Sequence, residues 1–258
     1  MSNYTLITGA SSGIGYEFAK IFAKNGCNLV LSARSKLILE DLAAELVKLH
    51  GVKVHVLEAD LSNPEECRRL EAFCQNNEIF VENLINNAGV GDNEAFVDSD
   101  WKKQEHMIRL NIESLVKLTH MFLPKMVERK SGGILNVAST AAFQPGPFMA
   151  VYYATKAFVL SFSEALNEEL KDTGVHVTSL CPGPTRSGFQ EAAKMDKAVL
   201  FKLLNIPDAK VVAEYGYHAF KNKKAVAIHG FMNKIMVQSL RISPRILILK
   251  IVRFLQKK

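Results

Sequence analysis

The chain has 258 residues, 48% of them hydrophobic and 22% charged, which is ample for a buried core and excludes the disordered and fibrous classes. Its net charge of +6 is uneven: no acidic residue follows Glu214, ten Lys and Arg lie from Lys221 onward, and the remainder carries 22 basic against 26 acidic residues. Cys27, Cys67, Cys74 and Cys181 are too scattered for a disulfide framework or a metal pair, so no metal is expected and the compartment reads as reducing cytoplasm.

Residues 4–8 read as a buried strand with no signal-peptide pattern before it. Ile14, Phe18, Ile21 and Phe22 then share a helical face that Asn25-Gly26 ends. A second strand is predicted at 28–32. Leu39, Leu42, Leu46 and Leu49 recur at helical spacing up to Gly51, and residues 52–57 form a third strand. Ser62-Asn63-Pro64-Glu65-Glu66 starts the next helix with a capping side chain, an early proline and an acidic first turn. Cys67 and Cys74 fall on its buried face. Strands at 84–86, 133–138, 175–180 and 225–228 alternate with helices at 101–128, 149–171 and 208–220. Strict alternation predicts an α/β fold: one doubly wound, Rossmann-like parallel sheet of seven strands with helices on both faces, spanning residues 1–230.

The first strand runs into Thr8-Gly9-Ala10-Ser11-Ser12-Gly13-Ile14-Gly15, which opens the first helix. A glycine-rich turn there brings backbone amides to a pyrophosphate at a helix N-terminus. Strand two ends without an acid to take ribose hydroxyls; Arg34 offers instead a planar fork suited to a 2′-phosphate. NADP (NADPH) is therefore expected, and NAD is less favoured. Tyr152 and Lys156 lie four apart on one helical face, where an ammonium would lower the phenol pKa and make it a usable proton carrier.

The glycine spacing, Asn86-Asn87-Ala88-Gly89, Ser139, the Tyr-x-x-x-Lys pair and Pro182-Gly183-Pro184-Thr185 occur in an order that resembles the short-chain dehydrogenase/reductase superfamily of single-domain enzymes. The resemblance implies that Gly9, Ser11, Ser12, Gly13, Ile14 and Gly15 meet the cofactor phosphates. Asp60 and Leu61 would hold the adenine, and Asn87, Ala88 and Gly89 would lie beside its ribose. Pro182, Gly183 and Thr185 would face the nicotinamide. It implies further that Ser139 polarises the substrate carbonyl and Tyr152 is the general acid or base. Lys156 would tune Tyr152 and hold the nicotinamide ribose, while Asn111 positions a relay water. Ser12 departs from the basic residue that NADP-preferring relatives often carry in this loop. Tyr153, three residues from Lys156, breaks the motif and is the weaker candidate for the acid.

Phe143, Phe148, Met149, Phe189, Met195, Leu200, Phe201 and Leu204 are candidate cleft residues, with a lid at about 185–206. They predict a hydrophobic carbonyl or secondary alcohol, steroid-like or 3-oxoacyl, converted by an NADP-dependent oxidoreductase. The reading from another class is a non-catalytic NADP-binding sensor or scaffold at a membrane surface. Residues 231–258 form a basic amphipathic extension. Phe231, Met232, Ile235, Met236 and Leu240 make an apolar stripe opposite Lys234, Gln238 and Arg241; Ser243-Pro244 breaks the run before a second segment. That segment is too short to span a bilayer but suits peripheral membrane contact, and packing over the cleft or between subunits is open to it. Its cations are interleaved with aliphatics rather than stacking aromatics, so nucleic acid is not an expected partner. The resemblance implies a homodimer or homotetramer.

Overall fold

Seven runs rich in Val, Ile and Leu form one sheet in the computed structural model, which describes residues 3–193 and 206–257. The strands are β1 (Asn3–Thr8), β2 (Asn28–Ala33), β3 (Val54–Glu58), β4 (Phe80–Asn86), β5 (Gly132–Val137), β6 (Val175–Cys181) and β7 (Val226–Ile228). Their order is β3-β2-β1-β4-β5-β6-β7, and each neighbouring pair is parallel. The fold class is the one expected. The winding reverses between β1 and β4, which opens a crevice beyond their carboxyl ends.

The helices are α1 (Gly13–Lys24), α2 (Lys36–His50), α3 (Pro64–Asn76), α4 (Trp101–Ile108), α5 (Ser114–Glu128), α6 (Ala150–Glu169), α7 (Phe189–Ala192), α8 (Ala209–Lys221), α9 (Phe231–Ser239) and α10 (Arg245–Gln256). Phe18 and Phe22 of α1, Leu39 and Leu46 of α2 and Phe220 of α8 bury one face of the sheet. Cys67 and Leu70 of α3, Phe122 of α5 and Leu166 of α6 bury the other. The cap at α3 forms as predicted: Asn63 Oδ1 accepts from Glu65 N at 3.0 Å, with Pro64 in the first turn. Leu49 departs from expectation, being 61% exposed. It keeps the apolar spacing, but it lies one residue before the helix ends; periodicity selects a face without saying where the underlying sheet stops.

The stretch predicted as one helix at 101–128 contains a π turn, Arg109–Glu113, between α4 and α5. Asn111 sits in that turn. Met195, Leu200, Phe201 and Leu204 lie outside the described residues.

Candidate active site

A cavity of about 460 Å³ opens at the carboxyl ends of the strands. Arg34, Asp60 and Leu61 line one end, and Ser139, Tyr152 and Lys156 line the other. Between them lie Gly9, Ser11, Ser12, Gly13 and Ile14 from the loop after β1, and Asn87, Ala88 and Gly89 from the loop after β4. Pro182, Gly183 and Thr185 follow β6 into the same space. Among the described residues, four of those expected are not on the wall: Gly15, Asn111, Phe143, which packs against the Leu115 and Val159 cluster, and Phe148, which lines a second groove.

Gly15 is buried beneath the loop, where its part is packing. A Cβ on it would come within 2.3 Å of Asn87 Nδ2 and 2.4 Å of the Gly9 carbonyl oxygen. That close approach lets Asn87 Nδ2 donate to Thr8 O at 2.9 Å and Gly9 O at 3.2 Å. Thr8 Oγ1 in turn accepts from the backbone N–H of Asn87 and Ala88, both at 3.0 Å. The loops after β1 and β4 are thus clamped to each other. The spacing of the glycines therefore serves this clamp as well as any phosphate. Ser12, at the N-cap of α1, makes no side-chain cap, so the first amides of that helix are not satisfied by it.

At the adenine-side end, Asp60 Oδ1 accepts from Ser62 N at 3.1 Å and Ser62 Oγ at 2.8 Å. Burial opposes its charge, yet Ser62, with His106 and Arg34 nearby, holds its carboxyl below the ordinary carboxylate value. Asp60 therefore stays ionised while shaping the entry to α3. Arg34 is exposed, and its guanidinium has no hydrogen-bond partner among the described residues.

At the other end, Ser139 caps a short 3₁₀ turn, Thr140–Phe143, with its Oγ accepting from Ala141 N at 3.1 Å. Tyr152 and Lys156 come from the first two turns of α6. Lys156 is 6% exposed, and its Nζ donates to Val137 O at 2.8 Å and stands 5.8 Å from the centre of the Tyr152 ring. Burial pushes Lys156 down to about 8. Burial pushes the Tyr152 phenol up, and hydrogen bonding with Ser139 pulls it part of the way back. The expectation that the lysine lowers the tyrosine is not met: burial is the largest influence on the phenol, followed by Ser139 and Tyr153, and Lys156 is not among the groups that shift it. Tyr152 keeps its proton at neutral pH.

The Asn111 side chain is engaged within the fold. Its Nδ2 donates to Val90 O at 2.9 Å and Thr155 Oγ1 at 3.0 Å, and its Oδ1 accepts from Val90 N at 2.9 Å. Both amide hydrogens are used, so the side chain pins the loop after β4 to α6. Thr185 Oγ1 likewise donates within its own turn, to Gly183 O at 2.9 Å.

The chain matches the short chain dehydrogenase family over residues 3–198. It belongs to that family. It is 39% identical over 199 residues to a very-long-chain 3-oxoacyl-CoA reductase of Anas platyrhynchos, a match covering 75% of this chain and 61% of the relative. It is 35% identical over 185 residues to 17-beta-hydroxysteroid dehydrogenase type 3 of Rattus norvegicus, covering 70% of this chain and 60% of the relative. The chain thus spans about three fifths of these relatives. A solved short-chain dehydrogenase of Sphingobium yanoikuyae in complex with NADPH superposes with a TM-score of 0.83 at 34% identity, covering 94% of each chain.

In this short-chain dehydrogenase the C-terminal extension is part of the site, which decides between the packings open at the sequence level. Asn233 and Met236 of α9, and Val252, Leu255 and Gln256 of or beside α10, line the same cavity as Tyr152. Gly183 admits α9, since a Cβ there would meet Asn233 Nδ2 at 2.5 Å. Gln256 Nε2 donates to Tyr153 Oη at 2.7 Å, and Asn93 Nδ2 donates to the Gln256 carbonyl at 3.2 Å. Tyr153, the weaker candidate for the acid, is thereby tied to the extension. Phe189 of α7 rests against Tyr152, ring centres 5.3 Å apart.

Sequence reading missed Asn93, Gln256 and Asn136, and took Asn86 only as part of the Asn86-Asn87-Ala88-Gly89 element. Asn86 Nδ2 donates to Thr119 Oγ1 and Asn136 Oδ1, at 3.1 and 2.9 Å, and Asn136 Nδ2 donates to Ser163 Oγ at 2.9 Å. This chain of amides joins β4 and β5 to α5 and α6. Its sequence signal was an asparagine near the carboxyl end of each of two neighbouring strands.

Proposed function

We propose that this protein is an NADPH-dependent oxidoreductase that reduces a hydrophobic ketone, steroid-like or 3-oxoacyl, to a secondary alcohol. The observation that carries the reading is the junction of two halves in one cavity: a helix N-terminus without a side-chain cap beside the exposed guanidinium of Arg34, and a serine–tyrosine–lysine cluster. The first half fits a phosphorylated dinucleotide. The amides at Gly13 and Ile14 would meet the pyrophosphate, Arg34 the 2′-phosphate, and Lys156 and Thr185 the nicotinamide half. NADPH, when bound, supplies the hydride.

The remaining work belongs to the side chains. Ser139 holds the carbonyl oxygen, and Tyr152 gives its proton to that oxygen as charge develops on it. A phenol raised by burial carries the proton that reduction requires. Lys156 retains donors beyond the one directed at Val137, and these would hold the nicotinamide ribose. Ala141, Met149, Phe189, Met236, Val252 and Leu255 make the substrate wall apolar, in keeping with the substrates named for the relatives. A sensor or scaffold would need no such tyrosine.

The test is NADPH against NADH oxidation over a carbonyl panel. Tyr152→Phe should lower turnover by about 100-fold or more while cofactor binding persists. Full activity in that variant, or turnover confined to small sugars, would overturn the assignment.

All four cysteines are free, and burial pushes Cys67, Cys74 and Cys181 up to about 11, 12 and 12, which suits inert thiols in a reducing cytoplasm. Trp101 and Ile108 of α4 and Phe158 of α6 are exposed, and we assign them to a homo-oligomer contact. Among the described residues no helix is long and apolar enough to cross a membrane. The contact we assign to residues 231–258 is peripheral.

A further inference from the structure

α10 is bound to the body by a single stripe. Ile248, Val252 and Gln256, spaced four apart, are buried, and the latter two line the substrate cavity. Much of the remaining helix surface is exposed and apolar: Ile246 is 70% exposed, Ile251 50% and Phe254 61%, with Arg245, Lys250 and Arg253 interspersed. α9 behaves alike, with Phe231 75% exposed, Met232 72% and Ile235 48%. The expected stripe of α9 thus faces solvent for the most part, with Met236 alone of its five members on the cavity wall. Beside α10 runs a second groove of about 430 Å³, floored by Ala95, Phe96, Pro147, Phe148, Ile246 and Leu249. Its charged residues are Lys250 and Arg253, and neither has an ion pair among the described residues.

We propose that α9 and α10 dock the enzyme on an anionic phospholipid bilayer, the groove taking an acyl chain and Lys250 and Arg253 its phosphate, so that the cavity draws its substrate from the lipid. The inference rests on the reading of the cavity as the site of a hydrophobic carbonyl. Charge selects the occupant. A second copy on this face would bring Arg241, Arg245, Lys250 and Arg253 against their own equivalents, with no acidic residue after Glu214 to pair them. A surface of phosphates supplies that pairing, and exposed aliphatics at this density suit the headgroup–acyl boundary. One helix then has lipid on one side and the cavity on the other.

The test uses the full chain with vesicles of phosphatidylcholine alone or mixed with phosphatidylglycerol. Partitioning should be about tenfold or more stronger on the mixed vesicles, fall at high salt, and drop by about tenfold in Lys250→Gln/Arg253→Gln. NADPH oxidation on a long-chain methyl ketone dissolved in the vesicles should rise with the anionic lipid and lose that rise in the double variant. A water-soluble aryl ketone should be turned over at the same rate throughout. Equal partitioning on both vesicles would overturn the proposal, as would binding that leaves the long-chain rate unchanged. A chain that ignores vesicles and runs as a dimer split by Ile246→Glu would assign the face to a second copy. Failure of the reductase reading is separable: neither ketone would react while partitioning stayed intact.

Discussion

Tyr152 and Lys156 are both desolvated, and desolvation acts on them in opposite senses: it raises the acid whose charged form is the anion and lowers the base whose charged form is the cation. For Lys156 the fold disfavours the ammonium, so the unfolded chain binds the proton more tightly between about 8 and the ordinary value of 10.5. Stability attributable to this residue should therefore be lowest below pH 8 and climb as pH rises through that window. Urea unfolding of the wild type against Lys156→Met checks the sign: the wild type should gain stability relative to the variant across the window, and a relative loss or no change would contradict it. NADPH affinity should run the other way, weakening above about pH 8 as the lysine loses a donor and its charge. The pairing of these residues was legible because a spacing of four on a helix places two side chains together. The direction of the tyrosine shift was not, since it depends on how much apolar matter surrounds the phenol.

At the scale of elements, the decisive contact joins α10 to α6 through Gln256 and Tyr153. Gln256→Met leaves the buried Tyr153 hydroxyl without its partner and should cost about 1–2 kcal/mol, with faster tryptic cleavage of the extension. Adding Tyr153→Phe removes the second partner as well and should recover most of the loss, measured by urea unfolding as a double-mutant cycle. If the two substitutions added instead, the hydrogen bond would not be what holds the helix. The extension was recognisable as amphipathic from its own residues. Its docked stripe was not, because Ile248, Val252 and Gln256 are chemically no better a buried set than Ile246, Lys250 and Phe254 until the cleft supplies Tyr153 and Asn93.

For the whole molecule, the reversal of strand order between β1 and β4 puts one crevice against both sheet halves, so a single ligand can bridge them. Binding there should raise global stability by about 2.7 kcal/mol at a hundredfold excess over Kd, seen as a higher thermal midpoint. Arg34→Glu should abolish most of that rise for NADPH and leave the NADH shift in place. Equal loss for both cofactors would remove the 2′-phosphate from the role given to Arg34.

Sequence alone determined what depends on neighbours along the chain. Strand and helix alternation, the cap at Asn63 and the order of the motifs follow from periodicity and local backbone chemistry, which need no partner from afar. Tertiary structure decided what depends on residues brought together across the fold: the Asn87 clamp on Thr8 and Gly9, Asn111 turned to Val90 and Thr155, and the extension closing over the cavity. Those contacts span tens to more than a hundred positions in the chain. A hydrogen bond between distant residues leaves no period in a linear sequence, and the burial that shifts a pKa exists only once the core has closed.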